Sequence, residues 1–203
     1  VDDSAKRKMN GQHDTLEQLI DIAKSTWNTR EYIGYSEQRE NQDKKSVEEI
    51  VEEYHKWDEQ NPNTIVGAEI QMDIRIGDYI VDGKIDRVEQ TPDGEYVIVD
   101  YKTGGKNKEI TNLNESLQLN IYAMGLQAKK KFGKLPKLIS YFYPEKEGQK
   151  IFSYEVTQAD VDNTKRKLEE FLNLIDNGEF GADPNMKKCG WCDYKDLCDE
   201  SQA

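Results

Sequence analysis

The chain has 203 residues, of which 33% are charged and 35% hydrophobic, and its formal net charge is −12. This length fits one domain with at most a small appendage, and the composition indicates a modest core under a strongly solvated surface. No apolar run approaches the roughly 18 residues that a membrane-spanning helix needs, and the polar start of the chain contains no secretory signal. The charge argues against a generally basic nucleic-acid-binding surface, although a narrow basic track would suffice to guide one strand.

The N-terminal part of the chain predicts helices. Residues 1–12 are polar and are expected to be frayed or to be a cut domain edge. Residues 14–27 place apolar side chains on one helical stripe, with His13 at the entrance to that helix. Residues 28–45 are polar and predict a loop or an irregular helix. Ser46, followed by a glutamate three residues later, predicts the capped start of a second helix.

Three strands are predicted next, separated by turn residues, at 65–76, 79–89 and 95–102. The third strand is almost entirely apolar, as expected for a central strand that is covered on both faces. The first strand alternates instead, and Glu69 lies on its polar face, where it could either approach a functional site or remain solvated.

A candidate catalytic group lies at the ends of the second and third strands. The second strand carries Asp86, and the third ends in Asp100-Tyr101-Lys102. Because strand side chains alternate with a period of two, Asp100 and Lys102 point to the same face. Two carboxylates and a lysine suit a divalent metal ion and the activation of water. Ordinary polar residues at strand ends are the alternative, but burial of a carboxylate after an apolar strand is costly unless it has a partner.

The second half of the chain predicts two more strands between two helices, in the order helix 115–132, strand 137–143, strand 150–156 and helix 157–176. Gln118 and Tyr122 are four residues apart in the first of these helices and therefore share one face. Their side chains could bind a phosphate or a base, or they could serve only in helix packing.

All three cysteines lie near the C-terminus in the pattern Cys189-x₂-Cys192-x₅-Cys198. A tightly clustered odd number of cysteines favours an intracellular metal or cluster site over a disulfide framework. Three sulfur atoms do not complete a tetrahedral zinc site or a four-iron cluster. His55 is a conceivable fourth ligand that nothing in the spacing recommends, and free thiols are the alternative.

Four segments resemble, in order and spacing, the RecB-like branch of the PD-(D/E)xK nuclease superfamily: GKIDRV, VDYKTG, SLQLNIYAMGL and CGWCDYKDLC. More narrowly, the chain resembles the nuclease domain at the C-terminus of superfamily 1 DNA helicases and the related CRISPR-associated exonucleases, over roughly residues 11 to 200. The resemblance implies an α/β, restriction-endonuclease-like core, in which a central mixed β-sheet is flanked by helices.

The resemblance also implies residue roles. His13 begins an H-x-x-L-E motif that binds metal, Asp86 occupies the G-x-x-D position, and Asp100 is the first acid of D-x-K. All three would hold the metal ion, together with the backbone carbonyl of Tyr101, and Lys102 would be the catalytic lysine.

The helix after the D-x-K motif carries a Q-x-x-x-Y motif, formed by Gln118 and Tyr122, that is associated in this family with the positioning of substrate DNA. Glu69 falls where relatives often carry a glutamate, and a supporting role is implied for it. Lys106, Lys108 and the run Lys129–Lys131 could lead a DNA strand to the site or could be solvated surface.

The cysteines resemble the iron–sulfur staple of the same branch, which adds one cysteine far upstream of the core. That cysteine is absent here, because the chain starts twelve residues before His13. An intact 4Fe–4S cluster, a degraded cluster, bound Zn²⁺ and free thiols therefore all remain open. We expect residues 1–188 to be a nuclease domain lacking its N-terminal part, with a cysteine knuckle at 189–198 as part of the same domain.

The function implied is Mg²⁺- or Mn²⁺-dependent hydrolysis of DNA, with single strands delivered by a helicase motor domain or subunit in the cytoplasm at the nucleoid. One alternative is a catalytically inactive DNA-binding or interaction module on the same fold. Another is a redox or metal-sensing module centred on the cysteines.

Overall fold

A five-stranded sheet lies at the centre of a computed structural model that describes residues 2–27, 36–103, 111–179 and 181–203. The strands follow each other across the sheet in chain order, as β1 (Thr64–Ile76), β2 (Tyr79–Gln90), β3 (Tyr96–Tyr101), β4 (Leu138–Phe142) and β5 (Ile151–Glu155). Neighbouring strands are antiparallel except β3 and β4, which pair in parallel. The predicted α/β architecture with a mixed sheet is therefore confirmed.

The central strand β3 has the composition that its position requires. Val97, Ile98 and Val99 are all buried, so both faces of the strand are covered. The hairpin between β1 and β2 turns at Gly77, whose φ of 58° is accessible to glycine at little cost. The predicted meander of three strands is confirmed, and its antiparallel pairing brings the end of β3 next to the middle of β2.

Six α-helices are described: α1 (Asp2–Met9), α2 (Leu16–Thr26), α3 (Glu37–Gln60), α4 (Leu117–Ala128), α5 (Gln158–Asp176) and α6 (Met186–Gly190). The chain forms two compact units, Val1–Lys165 and Arg166–Ala203. The second unit contains the end of α5 and the short helix α6. Within the described ranges, no helix has the length and apolar character needed to cross a bilayer.

The prediction that residues 1–12 are frayed is wrong, because residues 2–9 form α1. Asp2 and Asp3 lie in its first turn and basic residues lie in its last turn, an arrangement that complements the helix dipole. Ala5 is buried and α1 packs against β1. Tertiary packing thus stabilises a helix too short and too polar to be recognised by periodicity.

The predicted helix start at Ser46 is also wrong, because Ser46 lies inside α3. The helix begins at Glu37, and the hydroxyl of Ser36 caps it by accepting a hydrogen bond from the Arg39 N–H at 3.2 Å. The polar first part of α3 is supported by ion pairs such as Lys44 with Glu40 at 2.7 Å. Such a segment needs no apolar stripe to be helical.

A buried arginine connects β2 to α3. The Arg87 side chain is fully buried, and its Nη1 donates to Asp58 Oδ1 at 2.7 Å. Its Nε lies 2.6 Å from Glu89 Oε1, and the guanidinium carbon lies 4.7 Å from the centroid of the Trp57 ring. Two carboxylates and an aromatic face therefore surround one cation on this face of the sheet.

Both carboxylates of this network have further donors. Asp58 Oδ2 accepts from Lys8 Nζ at 2.6 Å, which brings α1 into the network. Glu89 accepts from the side-chain amides of Asn61 and Asn63 at 2.7 and 2.8 Å. Arg87 Nε and Nη2 have no partner at hydrogen-bonding geometry among the described residues, so the network is held by charge pairing and by the donors to its two carboxylates. It connects α1, α3 and β2, and loss of one partner would leave a buried charge uncompensated.

We expect Asp58→Ala to lower the free energy of unfolding by about 3–5 kcal/mol, because it leaves the buried Arg87 charge partly uncompensated. Glu59→Ala, at an exposed position on the same helix, should change it by less than about 0.5 kcal/mol. Urea denaturation followed by circular dichroism measures both changes. Equal midpoints for the two variants would contradict the role assigned to the network.

Candidate active site

The pairing of β2 with β3 brings Asp86 and Asp100 together, although Asp86 lies inside β2, four residues before Gln90, and not at the end of that strand as predicted. The antiparallel pairing of these strands includes the pair Arg87 with Val99, and the two aspartates are the next residues on their strands. Asp86 Oδ2 accepts a hydrogen bond from the Tyr101 N–H at 3.0 Å. A side chain of β2, rather than its backbone, therefore binds the end of β3, and this fixes the Asp86 carboxylate beside Asp100.

Asp100 is a buried carboxylate with incomplete compensation. The residue is 2% exposed, and its Oδ2 lies 2.6 Å from Lys102 Nζ but has no partner at a hydrogen-bonding angle among the described residues. Burial raises the pKa of Asp100 to about 6; Lys102 and Tyr122 oppose the increase, and the charge of Asp86 adds to it. The pair of aspartates thus concentrates negative charge in a poorly solvated place.

The ammonium group of Lys102 lies beside these aspartates. Besides its contact with Asp100, Nζ donates to Gln118 Oε1 at 2.8 Å and lies 5.0 Å from the centroid of the Tyr141 ring. The Lys102 N–H donates to the Phe142 carbonyl at 2.9 Å, which continues the pairing with β4. Both the backbone and the tip of this lysine are therefore held by neighbouring elements.

Gln118 and Tyr122 share a face of α4, as their spacing predicts. Gln118 Nε2 donates to the Tyr122 hydroxyl at 2.9 Å, while Gln118 Oε1 accepts from Lys102. Ser116 caps the helix, and its Oγ accepts from the Leu119 N–H at 3.3 Å. The structure thus brings five of the predicted residues together: Asp86, Asp100, Lys102, Gln118 and Tyr122.

His13 is placed differently. It is exposed in the segment between α1 and α2. Over the ranges that the structure describes, no three or more His, Cys, Asp or Glu side chains are arranged to hold a metal ion, so His13 does not join Asp86 and Asp100 in a ligand set. Its metal-binding role stays a prediction, as does that of the Tyr101 carbonyl.

Glu69 lies on β1 in a left-handed backbone conformation with φ of 50°. Its carboxylate forms ion pairs with Lys6 of α1 and Lys84 of β2. Hydrogen bonds from these two lysines lower the pKa of Glu69 to about 2. Glu69 therefore links α1, β1 and β2, and a supporting role for it stays a prediction.

Two residues near the site were not predicted from the sequence. Asp2 of α1 has a buried Oδ1 without a hydrogen-bond partner within the described ranges, and burial followed by the charge of Asp86 raises its pKa. Tyr141 pairs with Asp100 in the parallel ladder between β4 and β3. No local signal identifies Asp2, whereas the register of strand 137–143 against β3 would have identified Tyr141.

The lysines proposed as a DNA track are only partly described, because Lys106 and Lys108 lie outside the described residues. The run Lys129–Lys131 follows the C-terminus of α4, whereas Gln118 lies at its N-terminus. Lys131 Nζ donates to the Val66 carbonyl at 2.8 Å. A role for these lysines in guiding DNA stays a prediction.

The cysteines all lie in the second unit. Cys189 is buried at the end of α6, whereas Cys192 and Cys198 are exposed. No set of three or more potential metal ligands is found in the described part of the tail, and three thiolates fall short of the four that a 4Fe–4S cluster requires. The residues present do not fit a complete cluster, and zinc or cluster binding stays a prediction.

The sequence was compared with known protein families. Residues 2–199 match the model of the PD-(D/E)XK nuclease superfamily. The chain belongs to this superfamily. The match spans both the strands that carry Asp86 and Asp100 and the cysteine tail, and it does not distinguish the RecB-like branch from others.

Individual relatives are more distant. The gene 69 protein of Mycobacterium phage L5 is 29% identical over 133 residues, which are 64% of this chain and 43% of that protein. The match therefore spans less than half of the relative. Among solved structures, a protein provisionally assigned as an exonuclease from Eubacterium rectale aligns with a TM-score of 0.44 and 18% identity over 94% of this chain and 78% of its own. The protein SSO0001 aligns with a TM-score of 0.39 and 16% identity, over 68% of this chain and 61% of the SSO0001 chain.

The raised pKa of Asp100 leads to a test on metal-free protein. The native state binds a proton at Asp100 between about pH 4 and pH 6 that the unfolded chain has lost, so this group makes stability fall as pH rises through that window. We expect Asp100→Asn to flatten this slope and to stabilise the protein above pH 6 by roughly 1–3 kcal/mol. Urea denaturation at several pH values in EDTA measures the effect.

The matched control for that measurement is Asp82→Asn, which changes an exposed aspartate on the same strand as Asp86. It should keep the pH dependence of the wild type. A slope in Asp100→Asn that is indistinguishable from that of the control would show that Asp100 is not the titrating group.

Proposed function

We propose that this protein is a Mg²⁺- or Mn²⁺-dependent nuclease that hydrolyses phosphodiester bonds of DNA, with single strands as its preferred substrate. The observation that carries the proposal is the convergence of Asp86, Asp100 and Lys102, with Lys102 Nζ 2.6 Å from Asp100 Oδ2. Membership of the superfamily supports a nuclease in general, whereas the metal ion and the DNA substrate are proposed here.

The carboxylates fit the metal. Mg²⁺ is commonly held in proteins by one or two carboxylates, while waters and substrate phosphates supply its remaining ligands. Asp86 and Asp100 supply such oxygens. Burial, and after it the charge of Asp86, raises the pKa of Asp100 in spite of Lys102, so a bound cation would stabilise the ionised carboxylate. When bound there, a divalent ion polarises the phosphate and lowers the pKa of a coordinated water.

The other side chains have roles that follow from their contacts. The Lys102 ammonium group, held at the edge of the aspartate pair, can donate to phosphate oxygens as negative charge develops on them. Gln118 holds Lys102 through its oxygen and Tyr122 through its nitrogen, so it sets the orientation of both groups toward a bound strand.

The preference for single strands rests on charge. Binding of duplex DNA depends on many cationic contacts to phosphates, and this chain has a net charge of −12. A single strand needs only a narrow cationic path and surfaces for its bases. A helicase motor or subunit would supply such a strand, and this association, with DNA repair or recombination as its setting, is part of the proposal.

The proposal is tested with end-labelled single-stranded and duplex DNA in Mn²⁺, Mg²⁺ or EDTA. We expect metal-dependent cleavage, faster on single strands, and a loss of at least ~100-fold in the cleavage rate of Lys102→Ala, comparable to removal of one donor to a developing oxyanion. Lys56→Ala, at an exposed lysine of α3, is the control and should cleave at the wild-type rate.

Absence of cleavage by the wild type under all metal conditions would contradict the proposal. If such a protein still binds single-stranded DNA in a filter-binding assay, the inactive DNA-binding alternative replaces it. Cleavage that is equal in wild type and Lys102→Ala would assign the activity to a contaminant or to another site.

A further inference from the structure

Lys102 has a neighbour that the motifs do not include. A lysine side chain is long and flexible, so the position of its ammonium group depends on the groups that contact it. Asp100 and Gln118 contact Nζ from β3 and α4. The third contact is the ring of Tyr141 on β4, whose centroid lies 5.0 Å from Nζ, within the range of a cation–π interaction.

The fold places Tyr141 there. Strands β3 and β4 pair in parallel with Asp100 opposite Tyr141, so these two side chains share one face of the sheet. Lys102 lies two residues beyond Asp100 and therefore points to that same face. The pairing continues into the hydrogen bond from the Lys102 N–H to the Phe142 carbonyl at 2.9 Å, which fixes the register at this point.

The hydroxyl of Tyr141 is also fixed. It lies 2.8 Å from Ser116 Oγ, and it donates to Gln118 Oε1 at 3.4 Å, the oxygen that also accepts from Lys102. Ser116 is the N-cap of α4. One phenol thus connects the beginning of α4 to the end of β3, with its hydroxyl on the helix and its ring beside the lysine.

We propose that Tyr141 is a positioning residue, which holds the Lys102 ammonium group beside Asp100 and keeps the Gln118 oxygen directed at it. This inference rests on the proposed nuclease function for its effect on rate, but the geometry of Lys102 is measurable without any cleavage. The competing role for a partly exposed tyrosine in such a site is a stacking platform for a base of the bound strand.

The two roles have different kinetic consequences. Loss of a group that acts through Lys102 lowers kcat with little change in KM, whereas loss of a stacking contact raises KM. We expect Tyr141→Leu to lower kcat by about 10- to 100-fold with KM within about twofold, and Tyr141→Phe, which keeps the ring, to lower it by less than about tenfold. Tyr143→Phe, which removes a neighbouring hydroxyl, is the matched control.

A double-mutant cycle identifies the route of the effect. In the Lys102→Ala background, Tyr141→Leu should cause no further loss, because the residue through which it acts is already absent. Independent, multiplicative losses in the double variant would overturn the inference, as would a rise in KM at unchanged kcat.

Position is measured by NMR of reductively ¹³C-methylated protein, in which the Lys102 signal is the one lost in Lys102→Ala. The wild type and Tyr141→Phe should show a ring-current shift of this signal, and Tyr141→Leu should lose it. An unchanged shift in Tyr141→Leu would overturn the inference. A Tyr141-dependent shift in a protein that cleaves no DNA would support the positioning while contradicting the nuclease function.

Discussion

The structure depends on the close approach of two carboxylates on adjacent strands, Asp86 inside β2 and Asp100 near the end of β3. Asp100 is 2% exposed, and Asp86 is fixed beside it by the hydrogen bond from the Tyr101 N–H at 3.0 Å. Ionisation of Asp100 is unfavourable there, because burial, and to a smaller extent the charge of Asp86, raises its pKa to about 6. The pair persists because the surrounding fold is stable enough to impose it, and this is the condition under which a site for a divalent cation can exist before the cation binds.

That stability comes from the opposite face of the same strands. Because successive side chains alternate, Arg87 points away from Asp86, toward Asp58 of α3. Tyr101 alternates in the same way with Asp100, and its hydroxyl lies 3.4 Å from Arg87 Nη1. The middle of β2 and the end of β3 are thus fixed on one face by a buried ion network, and their other face carries the candidate site.

Much of this arrangement could be predicted from the sequence. The apolar run of β3 and the spacing of Asp86, Asp100 and Lys102 are local signals, and they predicted the sheet and the carboxylate pair. The helix α1 and the true start of α3 could not be predicted, since packing and ion pairs rather than an apolar stripe stabilise them. Tyr141 was missed because its position depends on the register between strands that are distant in sequence.

The central claim is that Asp86 and Asp100 bind a divalent metal ion, and calorimetric titration of Mn²⁺ into the protein at pH 6 tests it most directly. We expect binding to release protons, seen as a dependence of the enthalpy on the buffer, because the raised pKa of Asp100, about 6, leaves a proton there for the metal ion to displace. We also expect affinity at least ~10-fold weaker in Asp86→Asn and Asp100→Asn. Equal affinity in the wild type and in both variants would contradict the account.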